Sequence, residues 1–115
     1  MILGTGIDIV EVNRIQKAVE RWGDAFINHV FTPAEIEGAR KFKYPYQHYA
    51  GRFAAKEAIF KAMGLSHLTW HDVTIVNDAD GKPICHDNNR KFKNRLLISI
   101  SHSRDYAVAS AIVEE

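Results

Sequence analysis

Asp8, Glu57 and Lys61 are the residues of this 115-residue chain whose types and spacing suit chemistry on a charged group. Asp8 stands in Gly6-Ile7-Asp8-Ile9-Val10, a run of glycine and branched aliphatic residues expected to be largely buried. A buried carboxylate is unfavourable unless it is paired or bound to a cation. Asp8 therefore needs a partner, unless it sits at a strand end and caps a helix starting near Val12. Glu57 and Lys61 stand at i and i+4 in Arg52-Phe53-Ala54-Ala55-Lys56-Glu57-Ala58-Ile59-Phe60-Lys61-Ala62, so a helix projects them together. They form either an exposed ion pair or a carboxylate and an ammonium that face a site. Mg²⁺ takes one or two protein carboxylates and fills its shell with water and phosphate oxygens. Asp8 and Glu57 could supply that pair, and Lys61 could then neutralise charge developing on a phosphate leaving group.

Other charged residues leave two readings open. His102, between Ser101 and Ser103, can hydrogen-bond a phosphate, act as a base or simply occupy a surface turn. Neither His67 and His71 nor His29 and His48 are spaced with carboxylates for zinc. Between residues 81 and 95, Lys82, Arg90, Lys91, Lys93 and Arg95 are opposed only by Asp87, which marks a phosphate-binding segment or a solvated loop. Arg14, Lys17 and Arg21 recur at helical spacing, as a docking stripe for an acidic partner or as a solvated face.

The elements that must position these groups follow from periodicity and punctuation. Residues 2–10 read as a strand ending near Asp8. Val12, Ile15, Val19 and Trp22 follow the period of one helix face. Thr32-Pro33-Ala34-Glu35 combines a threonine cap, proline at the first helical position and a capping-box glutamate. That helix should run to about Lys43, ahead of Pro45, and a longer one should span Tyr46 to Met63 with Gly64 as its stop. Val73, Ile75 and Val76 form a strand-like run, and Asp80-Gly81 marks a turn before Pro83-Ile84-Cys85. Leu96–Ile100 and Tyr106–Val113 should make an antiparallel hairpin across residues 101–105. Helices gathered in the first half and strands mainly in the second indicate an α+β fold.

Composition narrows the class. With 46% hydrophobic and 25% charged residues and no linker or repeat, one globular domain over residues 1–115 is expected. A formal net charge of +1 gives no global pull towards nucleic acid. Cys85 is the sole cysteine, which rules out an intrachain disulfide and fits a reducing compartment. The first residues lack a charged leader segment, and Asp8 interrupts their apolar run, so a cytoplasmic protein with no membrane segment is expected. A chain this short encloses a large ligand more easily by borrowing walls from a second subunit.

Gly6-Ile7-Asp8-Ile9-Val10-Glu11-Val12, Phe31-Thr32, Arg52-Phe53-Ala54-Ala55-Lys56-Glu57-Ala58 and Ile98-Ser99-Ile100-Ser101-His102-Ser103 occur in the order seen in holo-acyl-carrier-protein synthases. The chain resembles that family over nearly its whole length. The resemblance implies the 4'-phosphopantetheinyl transferase fold, with helices on a small, mainly antiparallel sheet, and a homotrimer that binds coenzyme A in clefts between subunits. It implies Mg²⁺ on Asp8 and Glu57, catalysis by Asp8, Glu57 and Lys61, and coenzyme A contacts from Arg52, Lys61, Lys82, Pro83, Ser101 and His102. It also places Arg14, Lys17 and Arg21 on the helix that meets an acidic acyl carrier protein. The implied reaction is attack by a carrier-protein serine on the β-phosphate of coenzyme A, releasing 3',5'-ADP, in support of fatty acid biosynthesis. Glu57, a metal-bound water or His102 could take the serine proton. Residues 64–73 and 83–96 are shorter than the family pattern, so adenine and 3'-phosphate contacts stay unassigned.

Two other readings compete. A metal-dependent nuclease would also use two carboxylates and a lysine, but its Glu-x-Lys order is absent here. A noncatalytic trimeric module that only binds carrier protein would use the same charges for docking alone.

Overall fold

Strict alternation in the first strand and the last two decides which residues meet. The computed structural model describes residues 1–64 and 68–115, so His67 lies outside the described residues. β1 (Ile2–Glu11) pairs antiparallel with β5 (Tyr106–Glu114), which pairs antiparallel with β4 (Arg95–His102), giving the order β1-β5-β4. The 95–102 and 106–114 strands form the expected hairpin. β2 (Val73–Asn77) and β3 (Pro83–Asp87) make a separate two-stranded hairpin. A short 3-10 turn, Trp70–Asp72, leads into β2.

Registers sort the large sheet into two faces. Asp8, Ala109 and Ile100 share one row, and Val10, Ala107 and His102 share the next. Ala107, Ala109, Ala111 and Val113 are buried on that face. The opposite face carries Ile7, Ser110 and Ser99 in one row and Ile9, Val108 and Ser101 in another. Ile7 is 66% and Ile9 62% exposed, which leaves an apolar surface uncovered in the monomer.

The helix α4 (Tyr46–Met63) lies across the inner face and is buried on several sides. Its Ala54, Ala55 and Ala58 are fully buried. Gly4 and Gly6 make this approach possible, because a Cβ on Gly6 would sit 2.0 Å from the Ala58 carbonyl oxygen and one on Gly4 2.2 Å from that of Ala62. Small residues on both surfaces therefore press the helix backbone against β1. The αL conformation of Gly64, φ +63°, ends the helix where the sequence indicated.

Among the described residues, three further α-helices precede α4 in the chain. α1 (Val12–Trp22) follows the expected apolar period and buries Val12 and Ile15. Its first turn takes no cap from Asp8: Glu11 occupies the N-cap position, and the Val12 amide donates to the Asp105 carbonyl at 2.9 Å. α2 (Asp24–Val30) was not legible in the sequence; Gly23, at φ +57°, separates it from α1. α3 (Pro33–Ala39) opens on the capping box expected at Thr32 and Glu35. It stops at Ala39 rather than near Lys43, because the chain turns there, with the Phe42 amide bonded to the Ala39 carbonyl, and Phe42 packs on His48.

A buried ion pair ties these layers together. Lys56 Nζ lies 2.6 Å from Glu35 Oε1, both side chains are fully buried, and the ammonium also donates to the Val30 and Trp70 carbonyls at 2.8 and 2.7 Å. Glu35 accepts in addition from the Thr32 and Ile75 amides. All three ammonium protons thus have acceptors and both carboxylate oxygens have donors, the condition under which such a pair is tolerated.

Candidate active site

Asp8, Glu57 and Lys61 converge at the free edge of β1. Alternation turns Asp8 towards α4, and its side chain is only 17% exposed. Lys61 Nζ reaches across the edge strand to donate to Asp8 Oδ1 at 3.1 Å and to the Ile7 carbonyl at 3.0 Å. Glu57 lies one helical turn before Lys61. Its carboxyl is pushed above the ordinary range by burial first and by the charge of Asp8 second, while Lys61 opposes the rise. Asp8 and Glu57 therefore share a field in which a cation is favoured over two bare carboxylates. Among the described residues no group of three or more His, Cys, Asp or Glu side chains converges on a metal position. Two carboxylates at an open edge fit a hard divalent cation that draws its other ligands from water and phosphate oxygens.

A second cluster lies at the opposite edge of the sheet. Asp8 and Ile100 occupy the same row on the outer strands β1 and β4, about 10 Å apart at ordinary strand spacing. A cavity of about 160 Å³ beside Ile100 is lined by Arg52, Asn77, Gly81, Pro83 and His102. Arg52, Pro83 and His102, singled out from the sequence, are thus brought together. The Arg52 side chain comes off the buried part of α4, is 8% exposed and donates to Asn77 Oδ1 at 3.1 Å, while its Nε is buried without a partner among the described residues. Burial lowers its pKa from the usual value, with Glu35 opposing. A buried guanidinium with an unused donor is suited to an anion.

Ser101 and Lys82 stand apart from this pocket. Strand alternation places Ser101 with Val108 and Ile9 on the uncovered sheet face, opposite to His102. Lys82 is exposed in the β2–β3 turn, where its amide bonds Asp78 Oδ1 at 2.9 Å. Arg14, Lys17 and Arg21 are all exposed on α1, and Arg21 lies 4.8 Å over the ring of Trp22. Asn77 and Gly81 line this pocket, His48 lines two neighbouring cavities that share Arg52 with it, and the sequence singled out none of the three as a site residue. Their only signal was adjacency: His48 stands four residues before Arg52, one helical turn away, and Gly81 lies beside Lys82 and Pro83.

The sequence model of the 4'-phosphopantetheinyl transferase superfamily matches residues 4–111. A holo-[acyl-carrier-protein] synthase of Koribacter versatilis is 42% identical over an alignment 125 positions long, gaps included, that covers 100% of both chains. The crystal structure of a holo-(acyl-carrier-protein) synthase from Bacillus anthracis in complex with CoA (3',5'-ADP) superimposes with a TM-score of 0.89 at 38% identity, covering 100% of this chain and 98% of that one. The synthase of Helicobacter pylori in complex with coenzyme A matches with a TM-score of 0.87 at 33% identity over 96% and 99% of the two chains.

Proposed function

The chain belongs to the 4'-phosphopantetheinyl transferase superfamily and, within it, to the holo-[acyl-carrier-protein] synthases, and from that premise we propose how its own residues divide one transfer reaction. The enzyme moves 4'-phosphopantetheine from coenzyme A to a serine of apo acyl carrier protein. The serine oxygen bonds to the β-phosphorus, the bond between the β-phosphorus and the bridging oxygen breaks, and 3',5'-ADP leaves with that oxygen and its charge.

The observation that supports this reading best is the meeting of Asp8 and Glu57 with Lys61 between them at the β1 edge. Asp8 and Glu57 hold Mg²⁺, which when bound offsets the charge of the pyrophosphate. Lys61 exchanges its bond to Asp8 for the leaving oxygen, where its ammonium stabilises the charge that develops. Arg52, His102 and Pro83 hold the nucleotide end, with Lys82 at the groove mouth. Ser101 approaches it from the sheet face that another subunit covers. Glu57, whose raised pKa makes it a better base than an ordinary glutamate, and His102 are the side chains available to take the serine proton.

The acidic and basic clusters lie on opposite edges of one sheet, so a homotrimer that sets one subunit's β1 edge against its neighbour's groove gives coenzyme A both. The exposed Ile7 and Ile9 are an apolar contact for that assembly. The unit is a single domain over residues 1–115. No helix among the described residues is long and apolar enough to cross a membrane. The enzyme works in the cytoplasm and serves fatty acid synthesis.

The test is mass spectrometry of apo carrier protein incubated with the enzyme, coenzyme A and Mg²⁺. Wild type adds one phosphopantetheine, whereas Asp8→Ala and Glu57→Ala each lose most of the transfer while staying folded. Near-normal transfer by both variants overturns the metal assignment.

A further inference from the structure

His48 is a titratable group that the transfer described above leaves unused. Its ring packs against Phe42, with centroids 5.2 Å apart, and edge-on to Tyr49 at 6.4 Å. It lines two cavities, of about 360 and 90 Å³, and both are also lined by Arg52. The larger reaches Lys41 in the connection before α4, and the smaller reaches His102 on β4. β2 contributes Asn77 to the larger cavity and no ionisable side chain. Two carboxylates line it as well, and both are engaged: Glu37 with Arg40 at 2.8 Å and Glu35 with Lys56 at 2.6 Å. The space beside His48 is therefore cationic, and Arg52, which lines both cavities, has a buried Nε with no partner among the described residues. Burial, and then Arg52, His102 and Lys41, hold the free imidazole down to about 4.

Building on the nucleotide groove of the previous section, we propose that His48 is a positioning residue whose protonation is linked to the 3'-phosphate of coenzyme A. It is neutral in the free protein and takes one proton from solvent when the dianionic monoester enters beside Arg52. The physical reason is a change of sign: the cations that repel an imidazolium are outweighed once two negative charges lie among them. The bound state then carries more protons than the free one, so binding tightens as pH falls through the window above about 4 and stops tightening below it. The 3'-phosphate is the one monoester in coenzyme A, and so the one phosphate that reaches a second negative charge. His48 thereby favours the 3'-phosphorylated nucleotide over its dephosphorylated form.

Titration calorimetry of coenzyme A and of 3'-dephospho-coenzyme A, in EDTA and in two buffers of different ionisation heat, tests this on wild type and His48→Phe. Phenylalanine keeps the ring against Phe42 and removes the proton site. Wild type should take up as much as one more proton per coenzyme A than the variant, and its affinity should gain up to about tenfold per pH unit relative to the variant. The phosphate's own titration near about 6 is common to both proteins and cancels in the difference. The excess should vanish with 3'-dephospho-coenzyme A. Equal proton counts in wild type and variant, or an excess that persists without the 3'-phosphate, overturns the role of His48 and leaves the groove intact. Should binding need Mg²⁺, the same comparison is made with the metal present, and failure of wild type to bind coenzyme A under both conditions overturns the groove itself. If His48→Phe does not fold, the NMR titration of the His48 ring in wild type decides: a midpoint unmoved by coenzyme A refutes the proposal.

Discussion

Burial and the neighbouring Asp8 raise the Glu57 carboxyl above its ordinary range, and Lys61 offsets part of that rise. The folded chain therefore binds this proton more readily than the unfolded chain, so stability falls as pH rises through the carboxylate range. At neutral pH the ionised pair is a local strain that a bound divalent cation relieves. Glu57→Gln should remove it: in EDTA its melting temperature should rise by about 2–4 °C, the scale of roughly 0.5 kcal/mol in a domain of this size. Addition of Mg²⁺ should then stabilise wild type and leave the variant unmoved. Scanning calorimetry with and without the metal reads both effects, and a variant less stable than wild type in EDTA would contradict the account.

Close approach between α4 and β1 is the element-scale feature on which the site depends. Gly6 gives up a side chain so that the Ala58 carbonyl can come near, and this sets the distance between Asp8 and the Glu57 turn. Gly6→Ala places a methyl against backbone that cannot swing away, so it should destabilise by about 2–3 kcal/mol or more, as overpacking does. Urea unfolding measures this loss, and the surviving folded fraction should show reduced transfer because the two carboxylates separate. A different element, α1, presents Arg14 and Arg21 seven residues apart, about two turns, on a face free of ion pairs among the described residues. Arg14→Glu with Arg21→Glu should raise the KM for carrier protein several-fold and leave that for coenzyme A unchanged. Wild-type rates should fall with ionic strength more steeply than those of the double variant. Kinetics equal to wild type at every salt concentration would make the stripe a solvated face.

Assembly is a question for the whole molecule, because one sheet face has nothing to cover it. Ile9 and Val108 lie in one row of that face and Thr5, Ile112 and Leu97 in another, with the row of Ile7 between them. An apolar face of this kind gains roughly 25 cal/mol per Å² when a neighbour removes it from water. Ile112→Glu puts a charge on the middle strand of that face, three residue positions along the register from the row of Asp8. Light scattering should show wild type as a trimer and this variant as a folded monomer with little transfer. An active wild-type monomer would overturn both the assembly and the shared site.

The sequence by itself determined the elements whose signals are local. Thr32 and Glu35 announce a capping box, Gly64 stops α4, and alternation marks the final hairpin, since each depends on neighbours a few residues away. It also singled out Asp8, Glu57 and Lys61, because a carboxylate among aliphatic residues and an i, i+4 charge pair are visible in one dimension. It missed α2, whose seven residues are too few to show a helical period, and overran α3, whose end depends on Phe42 turning back to His48. Tertiary structure alone decided that Asp8 faces α4 and caps no helix, because strand register and the glycine-lined contact set that direction. It alone separated His102 from Ser101 onto opposite faces and gathered His48, Asn77, Gly81 and His102 into adjoining cavities that all share Arg52. Those meetings join residues up to 54 positions apart, from His48 to His102, and no local pattern encodes a contact made by packing a helix across a sheet.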